Sequence, residues 1–251
     1  MDSFGGKVYD RSGNHYQHRR HYSGGLKRHA VRKKITRRFQ DTLTSAIAVC
    51  TLFIGIAGTL QEMFTVVNGE LSSSGTMMMI GCFALGALAG EVLNLEKHME
   101  TFGEWLKRKT KSDSDTLFVD GFVTASLTVC IGAMAVVGAI KDGLTGDYSI
   151  LAAKAVLDFI IIVIMTASLG KGCIFSAIPV AVFQGAITLL AKLIEPIMTE
   201  TALSYLSMTG SMLIFCVGVN LLWGKKIKVA NLLPTIVFAV IWALVEGLLK
   251  K

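Results

Sequence analysis

From Leu43 onward the chain alternates long apolar runs with short polar ones. Seven runs stand out: Leu43 to Leu60, Gly75 to Leu93, Leu117 to Ile140, Ile150 to Leu169, Cys173 to Ile194, Leu203 to Trp223 and Ala230 to Leu249. About 20 mostly apolar residues cross about 30 Å of hydrocarbon as a helix, so each is a candidate span. Barrel strands would alternate lipid-facing apolar with lumen-facing polar residues, and these runs do not. The expected fold is all-α, a polytopic transmembrane helical bundle with seven spans. One connection, 94–115, is longer than a turn. Its Leu95, Met99, Phe102 and Leu106 recur every three or four residues, which predicts an amphipathic helix at the membrane surface; the plainer alternative is a solvated linker.

Composition agrees with the pattern: 52% hydrophobic and 17% charged, with mean hydropathy +0.56. Disordered chains and most soluble enzymes carry more charge. The net charge of +7 is not spread along the chain, because residues 1–38 hold a local +9 and the remainder −2. No nucleic-acid partner is therefore expected for the body, whose expected partner is the lipid bilayer. The connection 61–74 has no basic residue, the one at 94–115 has five, and the last contains Lys225, Lys226 and Lys228. By the positive-inside rule, residues before Leu43 are expected in the cytoplasm and the C-terminus outside, with Lys250 and Lys251 the one discordant feature. Cys50, Cys82, Cys130, Cys173 and Cys216 each lie in an apolar run, without metal-ligand spacing, and read as small membrane-compatible side chains.

Ionisable residues within a span cost about 2.5 kcal/mol upward on insertion scales, so each is a site candidate. Lys154 and Asp158 share a helix face at i and i+4 and can pair; they serve either a cation or proton path or an internal staple. Asp120, Glu91 and Glu246 lie near span ends, where an interfacial position is the simpler reading. Gln184, Asn220 and Asn231 can bond across helices or ligate a desolvated ion. Pro179 and Pro234 free carbonyls within or at the start of spans. Gly86 and Gly90 form a GxxxG packing face, and Gly132 and Gly218 are further small packing positions. Asp147 or Ser149 is expected to cap the Ile150 helix. No Walker A loop, dinucleotide fingerprint, HExxH or GxSxG is present. Catalysis, a cofactor and a metal are accordingly not expected.

A further set of residues resembles a known family. Arg38-Phe39-Gln40-Asp41-Thr42-Leu43, Gly132-Ala133-Met134-Ala135, Asp142 through Ser149, Lys154 with Leu157-Asp158, Phe175 through Pro179, and Lys228 through Pro234 are similar, in order, to the YqgA/YdfK-like bacterial membrane proteins of unknown function. The resemblance implies a bacterial inner-membrane protein and raises a sodium channel or pump as one activity, but brings no substrate. Family chains usually begin with one more apolar helix. Here residues 1–25 are polar, with His15, His18, His21, Arg19 and Arg20. Asn, His and Tyr codons all end in A then a pyrimidine, so Asn14 to Tyr22 read one base later becomes a run of Ile or Thr with Asn or Ser. We expect residues 1–25 to be an out-of-frame remnant of that helix, which would give eight spans when corrected; the alternative is a genuine basic tail in the 1–38 segment preceding a 39–251 membrane domain.

Two functions follow as expectations. The first is transport or conduction of a small cation, such as sodium or a proton, or of a small solute, lined by Asp158, Lys154, Gln184 and Asn220 with Asn231, Asp120 and Glu91 as further candidates. The second is a non-transporting scaffold or sensor whose polar groups only staple helices, with a homo-oligomer allowed by the glycine face. Convergence of Asp158, Gln184 and Asn220 on one cavity would favour the first; scattered or stapled positions would favour the second.

Overall fold

A computed structural model describes residues 12–67 and 69–249. The chain divides into two units, 1–41 and 42–251. Of the segment read as out of frame, residues 1–11 lie outside the described residues, as do Lys250 and Lys251. Helices run α1 Ser12–Met63, α2 Thr76–Leu93, α3 Leu95–Lys109, α4 Phe118–Cys130, α5 Ala133–Thr145, α6 Ser149–Leu169, α7 Ala177–Leu189, α8 Ala191–Ile194, α9 Glu200–Trp223 and α10 Pro234–Leu249. Six stretches among the described residues are long and apolar enough to cross a membrane unbroken: Arg38–Met63, Thr76–Leu93, Ser149–Leu169, Lys171–Leu189, Glu200–Trp223 and Val229–Leu249. The bent pair α4 and α5 passes the same test of length and composition only when the two are taken together, as one broken span.

That bend changes one sequence expectation. The run Leu117 to Ile140 reads as one continuous helix, but α4 stops at Cys130 and the chain turns by 61° before α5. Gly132 sits in the break at φ 150°, ψ 146°, a region closed to side-chain-bearing residues. The prolines, by contrast, interrupt nothing. Pro234 is the first residue of α10 and Pro179 lies in the first turn of α7, where backbone N–H groups have no intrahelical acceptor anyway. A short 3₁₀ turn precedes each of these helices, Lys171–Ser176 and Val229–Leu232.

Within the second unit α9 is the central element. Half of its most apolar window is buried inside the protein, against 11–22% for the other unbroken spans. Small residues allow the approach. A Cβ at Gly55 or Gly218 would collide with the backbone of Phe215 or Leu52, so α1 and α9 pack closely at these positions. Around this centre, side chains such as Phe159 (70% exposed), Val163 and Val182 face outward, which in water would be a large apolar patch and in a bilayer is the lipid-facing surface.

The remaining connections are short and well terminated. Asn94, at φ 49° between α2 and α3, uses its tolerance of the left-handed region to end one helix and start the next in one residue. The N-cap of α6 is Tyr148, whose side chain makes no cap bond, so neither Asp147 nor Ser149 is the cap; Asp147, one residue earlier, accepts the Ser149 N–H on its Oδ1 at 2.9 Å in an Asx turn that leads into the helix. It also pairs with Lys141 at 2.7 Å, and that lysine, then the Ser149 bonds, hold its carboxyl below the usual range. The connection between α1 and α2 is an antiparallel hairpin, β1 Phe64–Val67 and β2 Glu70–Ser73, an element the hydropathy pattern does not foretell.

Candidate functional site

The two polar constellations are built differently. At the broken span, α6 brings Lys154 and Asp158 against the end of α4. A helix end leaves its last carbonyls without intrahelical partners, and the Lys154 ammonium takes one of them, donating to the Val129 carbonyl at 2.8 Å. The same ammonium pairs with Asp158. Lys154 is 6% exposed, while the Asp158 side chain is 21% exposed. Pairing offsets the cost of both charges. A carboxylate, a main-chain carbonyl and an ammonium thus meet at a helix interruption.

At the face of the bundle carrying α3, a larger network joins α2 and α3 to the turn before α10. Asn231, 3% exposed, accepts the Glu96 N–H at 2.7 Å and donates to Glu91 at 2.7 Å. Glu96 in turn accepts the Ala230 N–H at 2.9 Å. Lys225 pairs with Glu96 at 2.9 Å and with Glu100, and Lys228 pairs with Glu91 at 2.7 Å. Burial opposes the charge on Lys225, but Glu100 and Glu96 outweigh it and raise its pKa. Gly90 and Gly86 bring α2 onto Asn231 and Thr235 so closely that a Cβ at either would strike backbone. The GxxxG face is therefore filled from within the chain by the start of α10.

Asn220 belongs to the same end but braces a loop. Its Oδ1 accepts the N–H groups of Lys226 and Ile227 at 2.9 Å, and its Nδ2 donates to the Ile227 carbonyl at 2.7 Å. A cleft of about 190 Å³ lies beside it, with Asp120, Glu96, Glu100 and Lys225 among its polar lining and Val123 and Leu127 among its apolar lining. Asp120 is exposed there and makes no hydrogen bond or ion pair among the described residues. Of the sequence candidates, Asp120 and Asn220 share this cleft, and Glu91 and Asn231 share the adjoining network. Lys154 and Asp158 lie apart from both, and Gln184 is half-buried on α7. Of Asp158, Gln184 and Asn220, only Asn220 lines this cleft. Gly132 belongs to the helix break and Gly218 to the contact of α9 with α1.

Sequence reasoning missed Glu96, Glu100, Lys225 and Lys228 as members of a site. The two lysines entered only as topology markers, and their partners lie 125–137 residues away along the chain. The one local signal is the i,i+4 spacing of Glu96 and Glu100, which places both on one side of α3. Glu246, read as an interfacial residue, accepts from the Tyr205 hydroxyl at 2.8 Å. All five cysteines are free thiols, and among the described residues no group of three or more His, Cys, Asp or Glu side chains is placed to hold a metal ion.

Long apolar helices around a central span, with charge pairs enclosed between them, define a multi-pass α-helical membrane protein. The family described as "Protein of unknown function (DUF554)" matches residues 22–244, and the chain belongs to that family. It is 28% identical over 205 residues to the "Uncharacterized membrane protein YdfK" of Bacillus subtilis (strain 168), covering 82% of this chain and 83% of that protein. It is also 28% identical over 220 residues to the "Uncharacterized protein YqgA" of Escherichia coli (strain K12), covering 86% and 89%. No solved structure matches the chain.

Proposed function

We propose that this membrane protein moves a small cation, sodium or a proton, or a small solute through the bacterial inner membrane, with Lys154 and Asp158 at the broken span as the residues that meet it. One observation carries the reading: an ion pair at a helix interruption where a main-chain carbonyl is turned to a side chain. Discontinuous helices supply such carbonyls at membrane depth in many transporters, and an intramembrane ionisable pair is costly to keep without a use. The loop charges support residues before Leu43 and the α3 face in the cytoplasm, and the C-terminus outside. The chain is read as having no catalytic activity.

A second reading, a scaffold or sensor that transports nothing, is favoured by a specific observation: Asn220, Asn231 and Lys154 all hold other parts of the chain in place. Flux separates the two. Sodium and proton entry is measured in proteoliposomes of the full chain and of Asp158→Asn, which keeps a hydrogen-bond acceptor for Lys154. Transport predicts a loss of about tenfold or more with thermal stability largely kept. No flux above that of protein-free vesicles in either leaves the scaffold reading standing, and equal flux above that background in both takes Asp158 out of the pathway.

A further inference from the structure

We infer that the C-terminal half of α3 is a binding surface for anionic phospholipid headgroups in the leaflet it lies against. The inference does not depend on whether the bundle conducts anything. Both ends of α3 are tied to membrane spans, α2 before it and the α4 and α5 pair after it, which confines it to the headgroup zone of one face. Its apolar residues divide into two stripes. Leu106 is buried, Leu95 and Met99 pack against the same core, and Gly103 sits against Phe122 and Val119. The other stripe reaches the surface: Phe102, 39% exposed, rests its inner side on the buried Phe122 at 5.7 Å and stacks outward on Trp105, 50% exposed, at 5.7 Å and 16°. An exposed, mutually stacked Phe and Trp pair beside membrane spans matches the aromatic belt at the lipid and water boundary.

The charge beside this pair gives the chemistry of the lipid. Lys107, Arg108 and Lys109 form the last turn of α3 and Lys111 follows. None of the four has an ion-pair partner among the described residues, as is also true of the scattered Lys97, Lys171, Lys192 and Lys226; Lys107, Arg108, Lys109 and Lys111 are distinguished by lying within five residues of one another. Their position at a helix C-terminus has a simpler explanation, neutralisation of the terminal carbonyls. Three of the last four of those carbonyls are already occupied. The Thr110 N–H and hydroxyl donate to Leu106, the Ser112 N–H to Lys107 and the Lys111 N–H to Arg108, at 2.9–3.2 Å. The nearby carboxylates do not cancel this charge: Glu100 is held by Lys225, and Glu104, Asp113 and Asp115, the last accepting the backbone N–H groups of Leu117 and Lys171, set three anions against the four cations. Unpaired cations flanking an aromatic wedge at a bilayer surface attract lipid phosphate.

The test uses Trp105 as its own reporter. The full chain with Trp223→Phe and Trp242→Phe, which leaves one of its three tryptophans, is reconstituted in mixed phosphatidylglycerol and phosphatidylcholine nanodiscs in which one lipid or the other carries brominated chains. At equal mole fraction, brominated phosphatidylglycerol should quench Trp105 about twofold more than brominated phosphatidylcholine. The excess should vanish at high salt, and in the Lys107→Gln, Arg108→Gln, Lys109→Gln, Lys111→Gln variant, with quenching by phosphatidylcholine retained. Equal quenching by both lipids overturns the anionic preference, and absence of quenching overturns the location of α3. If the double Phe variant does not fold, the difference in quenching between the native chain and Trp105→Phe gives the same reading.

Discussion

The two charged regions of this protein contain similar chemistry and differ in redundancy. At the broken span one ammonium has one carboxylate and one carbonyl, enclosed by apolar helices. At the α3 face three carboxylates, two ammoniums and an amide share their partners, and Lys225 keeps 45% of its side chain exposed. Where water is near, a lost partner is replaced; where it is not, the survivor is stranded. The face network therefore resembles a fastening that ties α2 and α3 to the start of α10, while the mid-span pair is the place where a single proton or ion would alter the balance of the whole region.

Removing one member in each place separates them. Asp158→Ala leaves Lys154 with only the Val129 carbonyl and should destabilise by about 3 kcal/mol, since breaking a buried pair costs about 3–5. The Lys154→Met, Asp158→Leu double variant should recover most of that loss in thermal unfolding. If Asp158→Ala costs no more than a surface change, the pair is hydrated and the contrast fails. Asn231→Ala comes next. It strips the Glu96 N–H of its acceptor in a buried setting and should cost about 1–3 kcal/mol, with exchange of that amide accelerated in hydrogen-exchange measurements. Glu100→Gln should cost less than about 1 kcal/mol, because Lys225 retains Glu96 and the site is half-exposed. A larger loss would mean that the network behaves as one unit.

The smallest effect is the pH dependence of the network. Because the folded pKa of Lys225 is raised, its contribution is fully present below the ordinary value of 10.5 and is lost as pH rises through the folded value. Melting temperature followed from about pH 8 to about pH 11 should fall more for the native chain than for Lys225→Met. Parallel curves would contradict the assignment.

Hydropathy alone placed the membrane helices, because burying about 20 backbone pairs in lipid leaves few alternatives to a helix. Other features were legible only in part. The Lys154 and Asp158 pair could be read because i,i+4 spacing is local, yet its third member, the Val129 carbonyl, was not, since a freed carbonyl depends on where α4 ends. That end is set by Gly132, whose letter in an apolar run looks like any small packing residue. Asn231 and Glu96 illustrate the opposite difficulty: each is an ordinary polar residue at a span end, and only the approach of α2 at Gly90 makes them neighbours. Of the two local candidates for the start of α6 neither is the N-cap, which is Tyr148; Asp147 serves instead as an Asx turn that also holds Lys141. The amphipathic pattern in 94–115 correctly marked a helix but not that its apolar residues serve two different surroundings.

The account stands or falls on one paired comparison: sodium and proton flux in proteoliposomes of Asp158→Asn and of Asn231→Ala, each normalised to folded protein and set against the native chain. A pathway at the broken span with a structural network at the face predicts that Asp158→Asn loses about tenfold or more while Asn231→Ala, though less stable, keeps its flux. Equal flux in all three, or a loss in Asn231→Ala as large as that in Asp158→Asn, would contradict it.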